Sequence, residues 1–183
     1  DEALVTKLVG QDSVRLILSD PPYGVAYVES KAGLVKNMSH AVIQNDQEQS
    51  SEDYAAFTHA WLSAITPHLT KKNASYIFNS DKMLFALRDG MIASDVRFSQ
   101  LLIWVKTQAV IGRLDYLPQH ELIAYGWHGT HEFMKSKDKS VLAYPKPSKS
   151  KLHPTMKPVG LLRNLILNSS RLGDYVYDAF GGS

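Results

Sequence analysis

The tetrapeptide Asp20-Pro21-Pro22-Tyr23 combines the residue types of a small acceptor site with an aromatic ring. It follows Val14 to Leu18, an apolar run that predicts a buried strand, and ligands of an open α/β sheet bind beyond the carboxyl ends of its strands. The two prolines fix their φ angles and have no N–H, so the turn is stiff and its carbonyl oxygens can face a ligand. The carboxylate, these carbonyls and the Tyr23 ring form a receptor for a flat ring that carries an amino group. The alternative is an ordinary turn in which Asp20 caps and Tyr23 packs.

Two later segments have residues suited to a cofactor. Asp178-Ala179-Phe180-Gly181-Gly182-Ser183 follows a predicted strand at Tyr175 to Tyr177. Glycines in this position let the backbone approach a nucleotide-like cofactor closely, although Gly-Gly after a strand is also a common turn. His153-Pro154-Thr155-Met156-Lys157-Pro158 precedes a predicted helix that starts at Pro158. Thr155 offers a capping hydroxyl and Lys157 a positive charge, but a plain proline-started helix with a solvated lysine also explains that segment.

The three segments, in this order, resemble the amino-group DNA methyltransferases that use S-adenosylmethionine. The catalytic motif comes before the cofactor motif, as in the permuted β group of that family. The resemblance runs from Val14 to Ser183. It implies an α/β fold with a Rossmann-like, three-layer methyltransferase sheet, circularly permuted in motif order and truncated at the cofactor loop. We expect residues 1–183 to be a single methyltransferase domain and a fragment of a longer protein.

The resemblance also implies a role for each motif residue. The Asp20 carboxylate and the Pro21 carbonyl would accept hydrogen bonds from the target amine, and Tyr23 would stack on a base flipped out of the duplex. The implied catalytic residues are thus Asp20, Pro21, Pro22 and Tyr23. The implied cofactor-binding residues are Asp20, Thr155, Lys157, Asp178, Phe180, Gly181, Gly182 and Ser183.

The predicted reaction is methyl transfer to the exocyclic N6 of adenine in double-stranded DNA. Acceptors on both N–H bonds favour a pyramidal amine nitrogen and stabilise the charge that develops on it, so neither a metal nor a covalent nucleophile is needed. Adenine is preferred because the Asp form of the motif is more often found in adenine enzymes. The chain has no Cys, which excludes C5-cytosine methylation by a thiolate.

Three alternatives remain open. The first is methylation of cytosine N4. The second is methylation of RNA or of a protein glutamine, although there the cofactor motif usually precedes the catalytic one. The third is a non-catalytic DNA-binding relic of the same fold, which would predict a degraded Asp-Pro-Pro-Tyr, whereas here the motif is intact.

Charge is concentrated in one segment of the chain. The net charge of +2 is too small to indicate nucleic acid, but residues 128–152 carry six lysines and two acidic residues. We expect a short basic target-recognition loop there, in which Lys135, Lys137 and Lys139 bind DNA phosphates. A solvated basic loop is an equally good interpretation.

Composition and periodicity set the remaining expectations. The 183 residues, 44% hydrophobic and 21% charged, predict one globular domain, with strands and helices alternating around a mostly parallel sheet. The longest apolar run has five residues and the chain starts with Asp1-Glu2, so we expect a cytoplasmic protein with no membrane partner. His128 and His131 lack an evident third ligand, so no metal is expected. Oligomeric state, recognition sequence and any restriction partner stay open.

The element predictions that matter most for the site are simple. Strands are predicted at 14–18, 75–79, 101–105, 122–125 and 175–177, and a helix at 52–69 with Ser50 or Ser51 as its cap. A second helix, capped by Ser80, is predicted to carry Leu84 and Leu87 on its apolar face.

Overall fold

The computed structural model describes residues 2–11, 13–25, 48–110, 114–135, 137–145 and 156–181. The helices are α1 (Glu2–Leu8), α2 (Ser51–Ile65), α3 (Leu84–Ala93) and α4 (Val159–Ser169), with a 3-10 turn at Thr66–His68. The strands are β1 (Val14–Ser19), β2 (Leu69–Asn79), β3 (Val96–Val105), β4 (His120–His128), β5 (Val141–Ala143) and β6 (Tyr175–Tyr177). Three predicted cofactor residues, Thr155, Gly182 and Ser183, lie outside the described residues.

The strands form one sheet in the order β5-β3-β4-β2-β1-β6. Strand β1 is parallel to β2 and β6, and β5 is parallel to β3. Strand β4 is antiparallel to both of its neighbours, β2 and β3. Within the described part of the chain, β4 is therefore the one strand that runs against the others. The predicted mostly parallel sheet is confirmed.

Helices cover both faces of the sheet. On one face, Ile17 and Ile77 pack in a core with Leu62 of α2 and Leu87 of α3. On the other, strand side chains that include Leu16 form a second core with α4. All six residues of β1 are buried, as expected of a parallel strand that lies between two helical layers. The three-layer α/β prediction is confirmed.

The helix predictions are correct in position and less accurate at the ends. Ser50 caps α2, and its hydroxyl oxygen accepts from the Asp53 N–H at 3.0 Å. The predicted extension to Leu69 is wrong, because Pro67 lies in the 3-10 turn that follows α2 and Leu69 already belongs to β2. The cap predicted at Ser80 is also wrong: α3 starts at Leu84, and the buried Ser80 hydroxyl has no hydrogen-bond partner among the described residues.

The segment predicted as a basic loop over 128–152 is only partly a loop. It contains β5, whose Leu142 pairs with Trp104 of β3 and is buried in the core beneath α4. The prediction rested on the net charge of the whole segment, which does not reveal a short apolar strand such as Val141–Ala143 within it. Residues 146–152 lie outside the described ranges. None of the described helices is long and apolar enough to cross a membrane.

Candidate active site

Strand direction brings four polar segments to one edge of the sheet. The parallel strands β1 and β6 both end there, and they are followed by the turns at Asp20 and Asp178. Strand β3 also ends there and is followed by Lys106, which precedes the segment leading into β4. Because β4 is reversed, its second residue, Glu121, lies at the same edge. This is the edge at which open α/β sheets bind ligands.

The Asp20 carboxylate has a donor on each oxygen. The Tyr23 hydroxyl donates to Oδ1 at 2.9 Å, and the Lys157 ammonium donates to Oδ2 at 2.5 Å. The Asp20 side chain is 33% exposed, so one side of it can still be reached. Burial raises the pKa of Asp20 above its ordinary value, although Lys157 and the Tyr23 hydroxyl act in the opposite direction. Sequence reasoning placed Lys157 at the cofactor, whereas its described contacts are at the catalytic turn.

Glu121 is a second carboxylate beside the first. Its Oε1 accepts from the Lys106 ammonium at 2.7 Å. Its Oε2 lies 3.2 Å from the Lys157 ammonium and accepts from the Tyr23 hydroxyl at 3.2 Å. Burial acts to raise the pKa of Glu121, but the two ammonium groups together outweigh it and hold the pKa below its ordinary value. Glu121 is therefore ionised at neutral pH.

The two lysines of this site are almost completely buried. The Lys157 side chain is 9% exposed, and its ammonium lies 5.1 Å from the centre of the Phe78 ring. Lys106 is buried to a similar extent, with its ammonium 5.3 Å from the centre of the Trp104 ring. Burial favours a neutral amine, but Asp20 and Glu121 outweigh it and raise the pKa of Lys157. We call Asp20, Tyr23, Lys106, Glu121 and Lys157 the carboxylate cluster. Its two ammonium groups balance its two carboxylates.

The predicted cofactor turn lies directly beside the catalytic turn. The Ala179 N–H donates to the Ser19 hydroxyl, the last residue of β1, at 3.3 Å. The Phe180 N–H donates to Asp178 Oδ1 at 3.0 Å, which closes a tight turn. The Phe180 ring packs on α2, with its centre 5.4 Å from that of Trp61. The structure thus brings Asp20 and Asp178 to neighbouring strand ends, as the motifs predicted.

The described part of this turn leaves one carboxylate oxygen and the Gly181 backbone accessible. Of the described residues, a Cβ placed on Gly181 would meet only Asp178, with its Oδ2 at 3.9 Å. Asp178 is exposed, and its Oδ2 has no hydrogen-bond partner within the described ranges. A free carboxylate oxygen facing open space suits an ammonium group, such as the one on the methionine end of S-adenosylmethionine.

The predicted DNA-binding lysines lie elsewhere. The Lys135 ammonium donates to Asn164 Oδ1 at 2.7 Å and contacts Asp138 at 3.4 Å. Asn164 is the middle residue of α4, whereas Lys157 precedes the N-terminus of that helix. Lys137 and Lys139 are exposed. Binding of phosphate by these lysines stays a prediction.

Sequence reasoning missed Glu121 and Lys106. Neither residue belongs to the three motifs from which the site was predicted, and the described residues hold no group of three or more potential metal ligands. A signal was present, because Lys106 directly follows the apolar run at 101–105 and Glu121 directly precedes the one at 122–125. To use this signal, one would have had to know that β4, the strand that contains Glu121, runs opposite to its neighbours.

Comparison with known proteins adds relatives of known type. The chain is 25% identical over 203 aligned residues to the Type II methyltransferase M.HpaI of Haemophilus parainfluenzae, an alignment that covers 97% of this chain and 60% of that protein. It is 23% identical over 197 residues to the Type II methyltransferase M2.MboI of Moraxella bovis, with 94% and 70% covered. The chain therefore spans less than two thirds of the length of M.HpaI.

Solved structures show the same fold. The crystal structure of the M1.HpyAVI–SAM complex matches with a TM-score of 0.64 and 18% identity, over 97% of this chain and 76% of that one. The cytosine-N4-specific PvuII DNA methyltransferase matches with a TM-score of 0.69 and 10% identity, over 97% and 70%. The sequence profile of the DNA methylase family of N6 and N4 methyltransferases matches residues 14–183. Because that match covers nearly the whole chain, including both motif-bearing turns, this chain belongs to the DNA methylase family.

Proposed function

We propose that this chain carries the catalytic part of an S-adenosylmethionine-dependent DNA methyltransferase that acts on the exocyclic N6 of a flipped adenine. One observation carries the proposal: the turns at Asp20 and Asp178 are adjacent at one sheet edge, joined by the hydrogen bond from Ala179 to Ser19. Neighbouring strands are about 4.8 Å apart, so an amine at the first turn and a cofactor at the second can meet. Membership of the DNA methylase family supports the same reaction.

The residues of the first turn handle the target amine. The Asp20 carboxylate and the Pro21 carbonyl accept hydrogen bonds from its two N–H groups. These contacts reduce the delocalisation of the nitrogen lone pair into the ring and stabilise the positive charge that develops on the nitrogen during transfer. The Tyr23 ring stacks on the base and helps to hold it outside the duplex. The raised pKa of Asp20 suits a group that accepts a proton from the methylated nitrogen.

The residues of the second turn hold the cofactor. Asp178 binds the ammonium group through its free Oδ2, and the open backbone at Gly181 leaves room for the rest of the methionine end. Phe180 is fixed on α2 by its contact with Trp61, so the turn has a rigid support. When bound there, S-adenosylmethionine supplies a methyl group already activated by the sulfonium. Thr155, Gly182 and Ser183 are retained as proposed contacts from the sequence motifs.

The test is a product analysis. The protein is incubated with methyl-labelled S-adenosylmethionine and unmodified double-stranded DNA, which is then digested to nucleosides and weighed. We expect labelled N6-methyladenine from the wild type and from Asp89→Asn, a control at an exposed carboxylate of α3, and none from Asp20→Asn. Labelled N4-methylcytosine would instead show that the target is the exocyclic N4 of cytosine.

Other outcomes would reject the DNA reaction. If no labelled nucleoside forms, the assay is repeated with RNA and with protein as substrates, and label in either would transfer the site to that class. DNA binding without transfer to any substrate would mean that the fold is a non-catalytic DNA-binding relic. Full activity of Asp20→Asn would show that the catalytic turn has been assigned to the wrong residue.

A further inference from the structure

The carboxylate cluster presents a problem for the proposed reaction. The Lys157 ammonium lies 2.5 Å from Asp20 Oδ2 and neutralises the charge that should stabilise the target amine. If Lys157 moved away from Asp20, the negative charge of the Asp20 carboxylate would be available to stabilise the target amine. Lys157 is nearly buried, however, and a buried ammonium without a carboxylate partner is strongly unfavourable.

Glu121 offers a second acceptor to each donor that now occupies Asp20. Its Oε2 is 3.2 Å from the Lys157 ammonium and 3.2 Å from the Tyr23 hydroxyl. Both groups already lie within hydrogen-bond distance of the two carboxylates. A small movement towards Glu121 therefore releases Asp20 without leaving a buried ammonium or hydroxyl unpaired.

The rest of the cluster keeps Glu121 ready for this exchange. Lys106 binds the other oxygen, Oε1, at 2.7 Å and comes from a different strand end. That contact fixes the Glu121 carboxylate without occupying Oε2. It also adds to the effect of Lys157 in keeping Glu121 charged, because the two ammonium groups together hold the pKa of Glu121 below its ordinary value.

We propose that Glu121 is a positioning residue that takes the Lys157 ammonium and the Tyr23 hydroxyl from Asp20 when the target amine binds. The inference rests on the proposed methyl transfer and deepens it. Asp20 is held by Lys157 while the site is empty, and its charge becomes available to the amine as Lys157 moves to Glu121. Glu121 does not touch the substrate, so we expect it to affect kcat, the rate at which the bound complex reacts, and not KM.

The test is a double-mutant cycle on Glu121 and Lys157. Glu121→Gln keeps the shape of the side chain but removes the charge that attracts Lys157. We expect kcat to fall by at least about tenfold while KM for DNA changes by less than about threefold. In a Lys157→Met background there is no ammonium to move, so Glu121→Gln should lower kcat by less than about threefold. Glu121→Asp keeps the charge and should recover part of the lost kcat.

Controls separate this role from a structural one. Glu52→Gln, at an exposed glutamate of α2, should leave kcat and KM unchanged. Thermal unfolding identifies variants that do not fold, and if Glu121→Gln is one of them, Glu121→Asp carries the test through a smaller loss confined to kcat. Equal losses from Glu121→Gln in both backgrounds, or an unchanged kcat in the wild-type background, would overturn the inference. A wild type that transfers no methyl group to any substrate would overturn the proposed function and this inference with it.

Discussion

The hydroxyl of Tyr23 can be tested separately from its ring. In Tyr23→Phe, the ring that stacks on the base is kept and one O–H group is lost. That group donates to Asp20 Oδ1 at 2.9 Å and to Glu121 Oε2 at 3.2 Å. A hydrogen bond to a charged acceptor contributes about 1.5–3 kcal/mol, and one proton shared between two acceptors should lie at the lower end, about 1.5 kcal/mol. We therefore expect the free energy of unfolding to fall by about that amount.

The same change should alter the pH dependence of catalysis. The Tyr23 hydroxyl stabilises the ionised form of Asp20, so its removal raises the pKa of Asp20 further above its ordinary value. Asp20 accepts the amine only when it is ionised, and activity is lost as the pH falls through that pKa. The acid limb of kcat/KM, which reports the free enzyme with the hydroxyl on Asp20, should thus move to higher pH, while kcat on the plateau changes by no more than about threefold.

Urea unfolding and pH–rate profiles measure these effects. Tyr116→Phe is the matched control, because Tyr116 is 90% exposed and should show neither effect. Tyr23→Leu removes the ring as well, and since stacking contributes about 1–3 kcal/mol, kcat/KM should fall by roughly 5- to 150-fold. If Tyr23→Phe matched the wild type in stability and acid limb, the hydroxyl would not brace the two carboxylates. If it abolished activity on the plateau, the hydroxyl would take part in the methyl-transfer step itself, and its role would not be limited to holding the two carboxylates.

Three further predictions concern other parts of the molecule. Gly126→Ala should destabilise the protein by about 3 kcal/mol in urea unfolding, because its Cβ would lie 1.8 Å from a backbone carbonyl oxygen of β3; a loss near zero would mean that the strands separate easily. Replacing Lys137 and Lys139 with Gln should reduce the slope of log DNA affinity against log salt by about 1.8, and an unchanged slope would exclude them as phosphate ligands. Asp138→Asn should cost about 1–2 kcal/mol at pH 7, because the hydrogen bond from Asn168 is the largest of the effects that hold the pKa of Asp138 at about 2, below its ordinary 3.8. That stabilisation is complete above pH 3.8 and disappears as the pH falls through about 2, so a difference that persisted at pH 2 would contradict it.

The sequence by itself determined the two turns that define the site. Each turn directly follows an apolar strand, and the strand, the proline pair and the glycines are local features that depend on neighbouring residues. The structure confirms that Asp20 follows β1 and Asp178 follows β6. Parallel pairing of these two strands then places the turns side by side, as the alternation of strands and helices predicted.

Only the tertiary structure decided what surrounds Asp20. Lys157 is distant from Asp20 in sequence, and Glu121 reaches the site because β4 runs against its neighbours. Strand direction depends on pairing and not on composition, so a glutamate before an apolar run could have been at either edge of the sheet. The charge on Asp20 depends in turn on which buried groups the fold places against it, because burial and ion pairing act only between groups that are close in space.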